Sequence, residues 1–195
     1  LMTARFEEVA SELSDLADAT LGTIYPMVLR EASARYGTPH DADGRPARLA
    51  VIALGKLGGY ELNYASDVDL VFVHPEPGSD TQAIAERSVA AFTALLAEPT
   101  TEGLALRVDV ALRPGGRAGA LSRSLDATIA YYDRESATWE RQALIKARAI
   151  AGEAELGAAF LAGVEPFVYP PELTPAAIED VRRTKVRLEE YIRQR

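Results

Sequence analysis

Three aspartates are placed to do chemistry together. Asp67 and Asp69 stand two residues apart at the head of the apolar run Val68-Asp69-Leu70-Val71-Phe72-Val73, so on a strand both point to one face. Asp109 lies in a later run in which Leu104, Leu106, Val108, Val110 and Leu112 alternate with Ala105, Arg107, Asp109 and Ala111. If these strands are neighbours, three carboxylates converge. Like charges so placed resist ionisation unless a cation sits between them. Mg²⁺ and Mn²⁺ take carboxylate oxygens together with substrate phosphates. A pair of such ions clamps the attacking and leaving oxygens of an in-line phosphoryl or nucleotidyl displacement. Just upstream, Gly58-Gly59 marks a tight turn whose backbone N–H groups could approach phosphate oxygens. Lys56, Arg107 and Arg113 could balance phosphate charge. Each feature alone is ordinary: an Asp-x-Asp at a strand edge is commonly solvated, a Gly-Gly pair marks only a turn, and Asp109 fits a polar strand face. Their order along the chain favours nucleotidyl transfer.

The elements that must position these residues can be read from periodicity. Residues 4–36 predict one long helix, with Phe6, Val9, Leu13, Leu16, Thr20, Ile24 and Met27 on its apolar face and Pro26 as a kink or early end. Residues 37–46 are turn-rich. Leu49 to Leu54 is a continuous apolar run that suits a strand buried on both faces. Gly55 to Gly59 reads as a glycine turn, 68–73 as a second strand, 81–97 as a helix capped by Ser79 or Asp80, and 104–112 as a third strand. The remainder reads as helical, at 125–134, 137–150, 153–163 and 175–195, the last opened by Thr174-Pro175. The sum is an α+β core with a helical C-terminal part.

Composition narrows the chemistry. The chain has 195 residues, no cysteine and two distant histidines, which excludes disulfides, thiolate catalysis, Fe–S clusters and His-rich metal sites. A net charge of -8 argues against non-specific nucleic-acid binding. No apolar run reaches the ~18 residues of a membrane helix, and no leader is evident, so a cytoplasmic protein without membrane or nucleic-acid partners is expected. Residues 105–148 nonetheless carry eight basic against five acidic residues, a stretch that faces either a phosphorylated ligand or solvent. Walker A, Gly-x-Gly-x-x-Gly and Gly-x-Ser-x-Gly patterns are absent. The ends suggest a piece cut from a longer protein.

Three blocks carry a resemblance: Leu54 to Leu70, Arg107 to Gly119, and Thr138 to Arg148. In sequence, order and spacing they resemble the glutamine synthetase adenylyltransferase family, within the polymerase-β-like nucleotidyltransferase superfamily. The seven-residue spacer from Gly59 to Asp67 is shorter than the general superfamily pattern and usual for this family. The resemblance implies a small mixed β-sheet with flanking helices followed by a helical part. On that basis residues 1–122 form the nucleotidyltransferase core with its N-terminal helix, and 123–195 form a helical region truncated at its C-terminus. It further implies that Asp67, Asp69 and Asp109 bind Mg²⁺ or Mn²⁺, and that Gly58, Gly59, Lys56, Ser66, Arg107 and Arg113 contact the nucleotide or phosphate.

Family members carry two such domains. One adenylylates a tyrosine of glutamine synthetase with ATP; the other removes the AMP by phosphorolysis, giving ADP. Glu61-Leu62-Asn63-Tyr64 and the run Trp139 to Arg148 resemble the N-terminal, deadenylylating domain, which is the expectation here; Tyr169-Pro170-Pro171 resembles some C-terminal ones. The alternatives are the adenylylating domain and a non-catalytic module that binds nucleotide or glutamine synthetase. A small-molecule transferase of the same superfamily fits the long blocks less well. Implied partners are glutamine synthetase, ADP or ATP, phosphate, and a PII-type signalling protein acting through the full-length chain.

Overall fold

In the computed structural model, which describes residues 4–77 and 81–193, the apolar run after Leu49 becomes strand β1 (Ala50–Ala53), every residue of it buried. A strand buried on both faces must also pair along both edges, because an orphaned backbone N–H or C=O has no water to turn to. On one edge β1 pairs antiparallel with β2 (Val68–His74), from Ala50↔Val73 to Ala53↔Leu70. On the other it pairs antiparallel with β5 (Arg148–Gly152), from Ala50↔Gly152 to Ala53↔Arg148. The far edge of β2 is shared. Its first residues pair in parallel with β3 (Val108–Asp109), and its last with β4 (Ser122–Ser124).

Side-chain alternation then builds a layer on each face of the sheet. Val51, Ala53, Val68, Leu70 and Phe72 pack with Leu21 of helix α1 (Phe6–Tyr36) and with Val89, Phe92 and Leu96 of the helix over 81–97. Ala50, Ile52, Leu54, Val71 and Val73 pack on the other side with Tyr132, Leu144, Phe160 and Val164. In chain order the helices are α1, the one-turn α2 (Gly55–Gly58), α3 (Thr81–Ala97), α4 (Leu125–Arg134), α5 (Thr138–Leu144), α6 (Ala154–Val168) and α7 (Pro175–Arg193). The architecture is α+β, a mixed sheet between two helical layers. The sheet draws strands from both sides of residue 122. No helix among the described residues is long and apolar enough to cross a membrane.

Several expectations are corrected. The buried face of α1 is Ala10, Ser14, Ala17, Leu21, Val28 and Ala32, while Phe6, Leu16 and Met27 are exposed; small residues let the helix approach its neighbours closely. Pro26 does not end α1. It and Gly22, whose carbonyl loses its donor, both lie at the exposed surface, where water can serve that carbonyl. The strand expected over 104–112 shrinks to Val108–Asp109, because β4 takes the rest of the β2 edge and the chain turns at once, Arg113 N–H donating to Val110 O. The helix expected over 137–150 stops at Leu144, and Arg148–Gly152 is a strand instead. The glycine turn is one turn of helix. Ser79 and Asp80, the expected caps of α3, and the last two residues of the expected final helix lie outside the described residues.

Candidate active site

The three aspartates lie around the start of β2. Asp69 and Asp109 are register partners on the parallel pair β2–β3, so their side chains share a face. Parity along β2 puts that face on the side of Val71 and Val73, under the α4–α6 layer. Asp67 lies just before β2 and is exposed. Burial, then Asp109, then Asp67 push the Asp69 carboxyl above its ordinary value, and Lys56 opposes them. Asp69 therefore feels both of the other carboxylates.

They do not close into a ready cage. Among the described residues no three acidic or histidine side chains are grouped to hold a metal ion as they stand. Asp67 is turned to Arg107, with Arg107 Nε 2.8 Å from Asp67 Oδ1, and Arg107 also donates to Ala65 O. Asp109 Oδ1 accepts from Ala111 N–H at 2.7 Å. The donor set nevertheless fits a hard divalent cation: all oxygen, mutually repelling, and half exposed. The Arg107–Asp67 pair is more than half exposed on both sides. A pair of that kind contributes only about 0–1 kcal/mol, so exchange of Arg107 for a cation costs little.

Gly55 and Gly58 show what the glycines do. Gly55 has φ +55, and a Cβ there would lie 2.5 Å from Asp69 Oδ2, so α2 begins directly against the Asp69 carboxyl. A Cβ on Gly58 would overlap the Lys146 carbonyl oxygen, so the missing side chain admits the segment leading into β5. The Gly58 and Gly59 N–H groups donate to Leu54 O and Gly55 O at 3.0 and 3.2 Å. The two donors expected to meet phosphate are thus used in closing the turn.

Arg113 also differs from expectation. Its side chain is buried and donates to the carbonyls of Val110, Arg117, Gly119 and Ala120 at 2.7–3.1 Å. It folds the loop after β3 rather than pointing outward, and burial lowers its pKa from the ordinary value, with Asp109 opposing. Ser66 is half-buried, and its N–H donates to Asn63 O. Lys56 is exposed on α2. The basic stretch 105–148 is largely spent internally: besides Arg107 and Arg113, Arg123 lies over Tyr131, Arg141 over Phe167, and Lys146 pairs with Glu61.

Residue-type reasoning did not single out Arg148, Asp18 or Tyr60. Arg148 closes both the third block and the basic stretch noted above. Tyr60, a non-glycine residue at φ 55, lies within the first block, and Asp18 on α1 carries no signal at all.

Together, sheet and site define an α+β protein that gathers carboxylates at one strand end beside a glycine-opened turn. The family model described as glutamate-ammonia ligase adenylyltransferase matches residues 1–163, and the chain belongs to that family. It is 43% identical over 192 residues to the bifunctional glutamine synthetase adenylyltransferase/adenylyl-removing enzyme of Streptomyces coelicolor, covering 95% of this chain and 18% of that protein. The enzymes of the same description from Thioalkalivibrio sulfidiphilus and Hahella chejuensis are 40% and 36% identical, over 93% and 97% of this chain and 20% and 21% of theirs. The chain thus spans about one fifth of the length of these relatives.

Proposed function

We propose that this chain is a metal-dependent nucleotidyltransferase domain that removes AMP from adenylylated glutamine synthetase by phosphorolysis, in the cytoplasm. The observation that carries the reading is the Asp69–Asp109 register pair with Asp67 two residues upstream, where burial first, then Asp109 and Asp67, raise the Asp69 carboxyl. Asp67, Asp69 and Asp109 would hold Mg²⁺ or Mn²⁺, which when bound supplies charge stabilisation to a phosphoryl centre under attack. The chain's own part is placement. Asp69 and Asp109 present oxygens from adjacent strands, and α2 packs Gly55 against Asp69. Arg107, once released by Asp67, and Lys56, which acts on the Asp69 carboxyl, would serve phosphate oxygens. In the reaction the phosphate oxygen bonds to the AMP phosphorus, the P–O bond to tyrosine breaks, and the tyrosine oxygen takes up a proton, giving ADP. An ionised phosphate needs no general base.

The test is the intact mass of adenylylated glutamine synthetase after incubation with this chain, Mg²⁺ and phosphate. Loss of the adenylyl mass with formation of ADP is expected, and Asp67→Asn should abolish it while the fold persists. If the mass stays and unmodified glutamine synthetase instead gains AMP from ATP, the adenylylating direction replaces this reading. A second reading has one observation in its favour. The Arg107–Asp67 pair closes the third carboxylate, as suits a module that binds nucleotide or glutamine synthetase without chemistry. Turnover in neither direction, with nucleotide binding retained, would select it.

A further inference from the structure

Arg148 reaches three separate parts of the molecule at once. It opens β5, and its guanidinium makes a two-pronged ion pair with Asp18 of α1, Nη1 to Oδ2 at 2.5 Å and Nη2 to Oδ1 at 3.1 Å. Both side chains are about four-fifths buried. The same guanidinium donates to the carbonyls of Leu57 at 3.0 Å and Gly58 at 3.3 Å, the last two residues of α2. Its plane lies over the Tyr60 ring, 3.9 Å from guanidinium carbon to centroid. Tyr60 is the one non-glycine residue with positive φ among the described residues, so the chain leaves α2 through a backbone conformation that local sterics disfavour. One planar cation therefore fixes the exit of α2, while the entry of α2, Gly55, rests on the Asp69 carboxyl.

Taken with the transferase reading above, we infer that Arg148 is a positioning residue for the reaction: held by Asp18, it clamps α2 so that Gly55 seats Asp69 in its working place. The Arg148 guanidinium grips Asp18, the α2 carbonyls and the Tyr60 ring rather than Asp67, Asp69 or Asp109. It acts through α2. The geometry requires a fork, since one set of N–H groups grips Asp18 while another serves the Leu57 and Gly58 carbonyls, and an ammonium cannot span both with a flat face left for Tyr60.

The test uses this chain with R148K, which keeps the charge and loses the fork, and D18N, which keeps the shape and loses the anchor. Two readouts are needed: deadenylylation kinetics with adenylylated glutamine synthetase, Mg²⁺ and phosphate, and amide hydrogen exchange across residues 55–60. For R148K, kcat is expected to fall about tenfold to a hundredfold, as a small misplacement of reacting groups does. KM for the adenylylated protein should stay within about twofold, which marks lost placement rather than lost binding. Exchange should quicken over 55–60 and stay unchanged in β1 and β2. D18N should move both readouts the same way, and the double variant should add little to either single one, since both break one clamp. Wild-type kcat and wild-type exchange in both single variants would overturn the inference. If R148K does not fold, D18N decides it alone. If the wild-type chain turns over nothing in either direction, the transferase reading falls and the positioning role with it, while exchange over 55–60 separately decides whether the clamp exists.

Discussion

Burial and two neighbouring carboxylates raise the Asp69 carboxyl, and that has a measurable sign. Its carboxyl is raised above 3.8 by burial first, then by Asp109 and Asp67. Between that ordinary value and the raised folded one, the folded chain keeps a proton that the unfolded chain has lost. By linkage this contribution to stability grows as pH falls through the window, and above it the ionised carboxylate weighs against the fold. Asp69→Asn is therefore expected to raise the melting temperature at neutral pH, with the gap to wild type closing as pH approaches 3.8, in a pH series of thermal melts. A lower melting temperature at neutral pH would contradict this. Adding Mn²⁺ should raise the wild-type melting temperature and leave the Asn variant unmoved, because a ligand stabilises only the state that binds it. The glycine beside it makes a complementary case. Gly55→Ala is expected to lose about 1–2 kcal/mol from the left-handed backbone alone in urea unfolding, and more from the displaced Asp69 carboxyl.

At the scale of elements, β1 is the member on which the sheet depends. Ile52 is fully buried, on the face that packs with Tyr132, Leu144 and Phe160. Ile52→Ala should cost about 2–5 kcal/mol in denaturant unfolding, the range for truncating a large core aliphatic in a site that cannot collapse. A cost below about 1 kcal/mol would mean the layer repacks freely. The same strand explains which parts of the fold are legible. The run 49–54, the apolar run from Val68 and the helices at 81–97 and 125–134 declare themselves through period and length. Arg148–Gly152 does not: five residues rich in alanine, after a helix-favouring segment, carry no strand signal of their own. What demands it is the open edge of β1, a requirement of pairing rather than of pattern. Ser122–Ser124 is likewise a strand only because β2 has an edge to offer. The site divides the same way. Asp67, Asp69 and Asp109 are legible because carboxylate type and spacing announce them. The inward turn of Arg113, the Arg107–Asp67 pair and the Asp18–Arg148 clamp depend on chain segments that only the fold brings together.

Across the whole molecule, the segment after residue 147 is not one unit. β5 supplies the second edge of β1, and α6 supplies Leu156, Phe160, Val164 and Val168 to one of the two cores. Helix α7, by contrast, packs beside α5, is tied to it by Thr138 Oγ1 donating to Asp180 Oδ2 at 3.2 Å, and buries none of its described side chains fully. Two truncations should therefore behave very differently. A chain ending at Thr174 keeps the sheet, both cores and the Arg148 clamp, and is expected to unfold in one cooperative transition at nearly the full-length denaturant midpoint. A chain ending at Ala147 exposes the backbone edge of β1 that β5 covers and takes Leu156, Phe160, Val164 and Val168 from one face of the sheet. Unpaired backbone and lost apolar burial act together there, so no cooperative transition is expected, and the open β1 edge should make the fragment aggregate. Equilibrium denaturation with size-exclusion chromatography on the two truncated chains separates the outcomes. A cooperative, monomeric 1–147 fragment would show that β1 to β4 with helices α1 to α5 suffice, and that β5 only decorates the sheet.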